Sequence, residues 1–76
     1  MSINLNSSVA AEIRALMARK GHRQKDLCQH LGMSPSAVSA RLNGKAPMTI
    51  DEVVAICEWM GVDPVMVVSN ALEPVA

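Results

Sequence analysis

The side chains that could coordinate a metal ion in this 76-residue sequence are two histidines and two cysteines, His22, Cys28, His30 and Cys57. Cys28 and His30 stand two positions apart, so on a helix they point to different faces, and Cys28 is expected to face inward. The two cysteines show no C-x-x-C spacing. The sequence therefore predicts no metal site, and two free thiols that pack as small apolar side chains.

Covalent catalysis is the second chemistry to consider. Ser34, Ser36 and Ser39 have no evident base to activate them, so they are better explained as capping and contact residues. A chain this short also leaves no room for a substrate cavity of several hundred Å³ beside a core. We therefore expect a protein that is not an enzyme and that uses neither a cofactor nor a small-molecule substrate.

Electrostatic binding is the third possibility, and it is suggested by the segregation of the charges along the chain. The formal net charge is zero, which on first reading speaks against a polyanionic partner. All seven Lys and Arg residues nevertheless fall between Arg14 and Lys45, where Asp26 is the one acid. From Met48 to Ala76 there are five acids and no base. The excess of six positive charges in the first stretch predicts contact with nucleic acid.

Five short helices must position these charges. Half of the residues are hydrophobic but only one is aromatic, a composition that favours packed helices over sheet. Glycines and N-capping residues separate the segments. The expected helical segments are 8–20, 24–31, 34–43, 49–60 and 63–70. The sequence thus predicts one all-α domain over residues 8–71, with frayed tails at residues 1–7 and 72–76.

The most informative stretch runs from Gln24 to Gly44 and pairs two helices across a tight turn. Gly32 is expected to take the positive φ that the turn needs, and Ser34 to cap the helix that follows. Val38 and Leu42 lie one turn apart and face inward. This pattern predicts a second helix that stands out from the surface and fits a DNA major groove about 12 Å wide.

The spacing resembles the helix-turn-helix of the lambda-repressor-like family, the Cro and C-type repressors of phages and their bacterial relatives. The resemblance extends over about Val9 to Ser69 and includes Asn43-Gly44-Lys45, Pro47 and Thr49-Ile50-Asp51-Glu52. It is greatest with small regulators of actinobacterial phages and prophages. It implies a compact five-helix, lambda-repressor-like DNA-binding domain.

The resemblance also implies which side chains meet DNA. The residues expected to contact base edges are Ser36, Ala37, Ala40 and Arg41. Only Arg41 among them can make a bidentate contact to guanine, and a surface salt bridge is its alternative role. The residues expected to contact phosphate are Gln24, Arg23, Lys25, Ser34, Ser39, Asn43 and Lys45. Gln24, Asn43 and Lys45 match the family's phosphate contacts directly.

Three positions depart from the family pattern. Arg23 stands where the family has Thr or Ser, so we expect a poor cap on the second helix. His22 stands where a hydrophobic residue is usual, and Arg41 occupies a position that is buried in many relatives.

The fifth segment is apolar on all sides, so at least one of its faces needs cover. We expect a homodimer with Trp59, Val65, Met66 and Val68 at its interface. Such a dimer would place two recognition helices about 34 Å apart on a pseudo-palindromic operator. Trp59 lies at the edge of the inward face, so it either packs over its own core or serves as an exposed anchor for a partner.

Together these features predict a sequence-specific, Cro-like phage or prophage repressor that binds double-stranded DNA and blocks polymerase sterically. No apolar run approaches a membrane span and the N-terminus lacks the basic start of a signal peptide. We therefore expect no membrane association and a location in the cytoplasm of a bacterial host cell. The alternative is a protein-interaction module on the same fold, either antitoxin-like or bound to a host factor through Trp59 and the acidic helices.

Overall fold

A computed structural model describes residues 5–72, and the regular structure in this part of the chain is entirely helical. The helices are α1 (Leu5–Lys20), α2 (Gln24–Leu31), α3 (Pro35–Leu42), α4 (Ile50–Met60) and α5 (Pro64–Leu72). The predicted all-α fold of five helices is confirmed. None of these helices is both long enough and apolar enough to cross a lipid bilayer.

Two helix boundaries differ from the predicted ones. α1 begins at Leu5 rather than Ser8, and α5 continues to Leu72 rather than Asn70, so residues 5–7 and 72 are helical instead of belonging to tails. The first turn of α1 packs closely against the turn after α3. The approach is so close that a Cβ placed on Gly44 would lie 2.8 Å from Ser7 Oγ. This tertiary contact explains why α1 starts early. The remaining tail residues, 1–4 and 73–76, lie outside the described part.

One core unites the five helices. α1 packs against α3 and α5, α2 packs against α3 and α4, and α4 packs against α5. The buried residues are Val9, Ala10, Ile13, Met17, Leu27, Cys28, Val38, Leu42, Ile56, Cys57, Met60 and Val67. Both cysteines are free thiols inside the core, as predicted. Burial raises the pKa of the Cys57 thiol, and the charge of Asp63 adds to this effect, so the thiol stays protonated at neutral pH.

The N-terminal caps follow from local sequence. Ser34 Oγ accepts a hydrogen bond from the Ala37 amide at 3.2 Å. Thr49 and Glu52 form a reciprocal capping box at the start of α4, with bonds of 3.1 and 2.9 Å. Each such cap stabilises the fold by about 1 kcal/mol. At α2 the N-cap position is Arg23, and its side chain makes no capping bond, which confirms the predicted poor cap.

Candidate nucleic-acid interface

The turn between α2 and α3 fixes the direction of α3. Gly32 adopts the left-handed conformation at φ 66°, and the Met33 amide then donates to the carbonyl of Cys28 at 3.1 Å. Only a residue without Cβ takes this φ at little cost. Val38 and Leu42 are 1% and 4% exposed, so α3 is held to the core by one face. Its opposite face is left available to a partner.

The C-terminal end of α3 is held equally firmly. The amides of Gly44 and Lys45 donate to the carbonyls of Arg41 and Ala40 at 3.2 and 2.8 Å, which forms a Schellman cap. The Arg14 guanidinium donates to the carbonyl of Leu42 from α1. Arg14 was not singled out from the sequence, because its partner lies 28 positions away and no local pattern connects them.

The predicted base-contacting residues differ in exposure. Ser36 is exposed, and Ala37 and Ala40 are half-buried. In a helix whose residues 38 and 42 face the core, these three positions fall on the other side. Their side chains are small and uncharged. Such side chains offer a hydroxyl and methyl groups to base edges, and a methyl group suits the thymine methyl.

One group of predicted phosphate contacts lies beside the start of α3. Gln24, the first residue of α2, donates through Nε2 to the carbonyl of Pro35, the first residue of α3, at 3.3 Å. Arg23 and Lys25 are exposed on either side of it. Because no side chain caps α2, its first backbone N–H groups stay open to an anion such as phosphate.

The second group lies at the other end of α3. Asn43 Nδ2 donates to Ser39 Oγ at 3.2 Å, and both Asn43 and Lys45 are exposed while Ser39 is half-buried. Ser34, by contrast, is the N-cap of α3 and belongs with the first group; it is exposed, and its Oγ lies 3.4 Å from Ser36 Oγ. The structure therefore separates the predicted phosphate contacts into two groups. One lies at each end of a helix about 12 Å long.

Arg41 is directed at α4 rather than at solvent. Its Nε donates to Glu52 Oε2 at 3.0 Å and its Nη1 to the carbonyl of Ala37 at 3.2 Å. The two side chains are 26% and 14% exposed. The salt bridge was the alternative left open for Arg41, and its contact with guanine stays a prediction. Glu52 also closes the capping box of α4, and no local signal in the sequence revealed Arg41 as its second partner.

The electrostatics of Glu52 follow from this position. Burial is the largest single influence and acts to raise the pKa of the carboxyl. The hydrogen bonds from Thr49 and Arg41 and the charge of Arg41 together outweigh it, so the pKa lies below its usual value. Glu52 is therefore ionised at neutral pH and pairs with the Arg41 cation.

The other six Lys and Arg side chains have no acidic partner within the described residues. Within residues 5–72 the only ion pair joins Arg41 to Glu52. The exposed cations without an acidic partner there are Arg14, Arg19, Lys20, Arg23, Lys25 and Lys45. The positive charge of the first half of the chain is therefore free to act on an external polyanion.

Trp59 is half-buried against the core and also contacts both histidines. Its ring centroid lies 4.4 Å from that of His22 and 5.9 Å from that of His30. The imidazole of His22 thus packs where the family has a hydrophobic residue. Across the described residues, no three His, Cys, Asp or Glu side chains are grouped to hold a metal ion.

An apolar groove of about 570 Å³ lies between α1, the start of α4 and α5. The expectation that the chain had no room for such a volume is wrong, because the apolar faces of α4 and α5 are not covered and leave space at the surface. Val65 and Val68 line the groove, whereas Met66 and Trp59 do not. The sequence did not single out Ile50, which lines it and is 82% exposed.

Comparison with known proteins supports this fold. Two crystal structures of the clp gene regulator ClgR from Corynebacterium glutamicum superpose with TM-scores of 0.81 and 0.82 at 22% identity. Each covers 88% of this chain, and the match spans 87% and 71% of the respective ClgR chains. No curated protein sequence shows significant similarity.

The family assignment rests on the sequence itself. Residues 8–68 match the helix-turn-helix domain family, and this range includes both helices of the motif, all of α4 and most of α1 and α5. The family match supports a DNA-binding transcriptional regulator and points to a non-enzymatic protein, and the superposition on ClgR shows the same fold. The chain belongs to the helix-turn-helix domain family.

Proposed function

We propose that the chain is a sequence-specific, Cro-like repressor of phage or prophage type, in which α3 enters the DNA major groove. The observation that carries this proposal is the surroundings of α3. Val38 and Leu42 fix it to the core, and polar or cationic side chains are exposed at both of its ends. A helix presented in this way fits between the two phosphate strands that border a major groove.

The two groups of phosphate contacts have different chemistry. At the start of α3, Gln24 and the open N–H groups of α2 suit a phosphate oxygen, and Arg23 and Lys25 supply charge. At the other end, Lys45 supplies charge, Asn43 a hydrogen-bond donor and Ser39 a nearby hydroxyl, whereas the Ser34 hydroxyl lies at the start of α3. These contacts orient the protein on DNA, and Ser36, Ala37 and Ala40 face the bases.

A homodimer would bring two such helices to one operator. The apolar groove, with Ile50 at 82% and Val65 at 72% exposure, is the surface that most needs cover. A twofold interface uses the same patch on both copies, so Val65, Val68 and the adjacent Met66 of each copy would meet the groove of the other. Trp59 does not line this groove, and its part in the interface is a separate prediction. A bound dimer would block polymerase sterically in a bacterial cytoplasm.

The test starts with selection of bound DNA from a random pool, which reports affinity, half-site spacing and symmetry together. On the selected operator, Lys45→Ala is expected to weaken binding and to lower the salt slope by about two, because a dimer loses one phosphate contact in each half-site. Gln24→Ala is expected to weaken binding without a change in slope, because the amide carries no charge. Lys20→Ala is the matched control, since Lys20 is an exposed lysine outside both groups.

A second candidate function is a protein-interaction module on the same fold. The exposed apolar groove, which is lined mainly by residues of the acidic half of the chain, is the observation that favours it. If the pool yields no enriched sequence even at low salt, this alternative becomes the better account. If an operator is found but Gln24→Ala and Lys45→Ala both leave affinity and salt slope unchanged, the proposed docking of α3 is wrong.

A further inference from the structure

The bridge between Arg41 and Glu52 connects the proposed DNA-contacting helix to the helix behind it. One carboxylate oxygen of Glu52, Oε1, accepts the Thr49 amide and closes the cap of α4. The other, Oε2, accepts Nε of Arg41 on α3. Nη1 of the same guanidinium returns to the carbonyl of Ala37, one turn earlier in α3. A continuous set of hydrogen bonds thus runs from the middle of α3 to the first turn of α4.

This set of bonds acts at the position where α3 would meet the bases. Ala37 is one of the three small residues on the exposed side of α3, and its carbonyl is fixed by Arg41. α3 is only eight residues long, so its rotation about its own axis is set by few contacts. Recognition needs side chains held within about 0.5 Å and 10–20° of their productive position. A bridge that links the middle of α3 to α4 restrains that rotation.

We propose that Arg41 is a positioning residue and not a base-contacting one. This inference rests on the proposed function. The guanidinium stays on Glu52 and Ala37 when DNA binds, and α3 recognises its half-site through Ser36, Ala37 and Ala40. These small, uncharged side chains select thymine methyl groups and groove shape, whereas a base-contacting arginine would select guanine. Arg41 then affects specificity through the orientation of α3.

Glu52→Gln distinguishes this role from direct contact, because the two roles predict effects of opposite sign. Gln at this position of a capping box keeps the cap of α4 but removes the charge that holds Arg41. If Arg41 positions α3, the variant should bind its operator about 10-fold more weakly, with unchanged affinity for random DNA. If Arg41 is released to contact guanine, the variant should bind the operator more tightly.

Glu58→Gln is the matched control. Glu58 is an exposed acid on the same helix and makes no side-chain bond within the described residues, so its variant reports the gain in DNA affinity that any lost negative charge produces. All affinities are compared with this control at a temperature where circular dichroism shows every variant to be folded. Arg41 itself is tested with Arg41→Ala. If that variant does not fold, Arg41→Lys replaces it, because lysine keeps the positive charge but lacks the paired N–H donors of the guanidinium.

The base preference of each variant completes the test. For a positioning residue, Arg41→Ala lowers the ratio of operator to random-DNA affinity without erasing the preference at any single base pair. The inference is overturned if Glu52→Gln tightens operator binding, if an Arg41 variant loses a guanine preference at one position by about 5-fold or more, or if the ratio does not change. Failure of the wild-type chain to select any DNA would instead overturn the proposed function, and the two failures are thus distinct.

Discussion

Glu52 uses its two carboxylate oxygens for two different helices, and this places a titratable group at the junction of α3 and α4. The side chain is 14% exposed and its hydrogen-bond partners are the Thr49 amide and the Arg41 guanidinium. These partners favour the ionised carboxyl more strongly than burial opposes it, so its pKa in the folded chain lies below the usual value. In the unfolded chain a glutamate titrates near pH 4.3.

A depressed folded-state pKa makes the contribution of Glu52 dependent on pH. It is fully present above the unfolded pKa of about 4.3 and is lost as the pH falls through the lower, folded pKa. We therefore expect the difference in melting temperature between wild type and Glu52→Gln to be constant near neutrality and to decrease below about pH 4.3. Thermal unfolding of both proteins across an acid series measures this. A gap that stays constant into strong acid would contradict the prediction.

Single residues also show where sequence reasoning ended. The interiors of the helices and the caps at Ser34 and Thr49 were predictable, because each depends on residues within one turn. The partners of Trp59 were not, because the ring lies against His22 and His30 from other parts of the chain. The same holds for Arg41, whose contact with Glu52 spans eleven positions. The site residues named from the motif are exposed or half-buried as a group, but the sequence alone did not show which way Arg41 points.

At the scale of helices, the early start of α1 depends on a contact with the turn after α3. Gly44 has φ +74°, and a Cβ there would lie 3.3 Å from the Cα of Ser7 as well as 2.8 Å from its Oγ. Backbone atoms of a helix cannot move as a side chain can. Glycine at this position therefore serves both the left-handed cap of α3 and the close approach of α1.

Gly44→Ala is expected to cost more stability than the left-handed backbone alone explains. Gly21→Ala is the matched control, because Gly21 has φ +73° and nothing within 4 Å of its would-be Cβ. The control should lose about 1–2 kcal/mol of unfolding free energy. Gly44→Ala should lose a further 1 kcal/mol or more, about the lower end of overpacking costs. Denaturant titration of both variants gives the comparison, and equal losses would show that α1 does not press on this turn.

At the scale of the whole molecule, the charge segregation read from the sequence corresponds to two halves of the fold. The helices up to Lys45 carry the unpaired cations and the motif, whereas α4 and α5 carry acids and the uncovered groove. Asp51 and Asp63 directly adjoin Ile50 and Pro64, which line that groove. Two copies that meet through the groove would bring these acids near one another. The existence of the uncovered apolar surface was predictable from α5, but its volume and the exposure of Ile50 depended on how α1 and α4 flank it.

Salt should therefore act in opposite directions on the two proposed interactions. Screening of the acids is expected to strengthen self-association, whereas operator binding through about six phosphate contacts per dimer should weaken about a thousand-fold between 50 and 200 mM salt. Sedimentation equilibrium measures the first and operator titration the second. Val65→Glu places a charge in the groove and should abolish the dimer, and Ala18→Glu, an exposed site on α1, is the matched control.

The emission of Trp59, the only tryptophan, shows how far the interface extends. If the emission maximum shifts when the protein is diluted from dimer to monomer, Trp59 lies in the interface. If the maximum stays constant, Trp59 contacts only its own core and the two histidines. A Val65→Glu variant that dimerises like wild type, or self-association that weakens with salt, would rule out the groove as the interface. Neither result would bear on DNA binding by a single domain, because the proposed phosphate contacts and α3 lie within one chain.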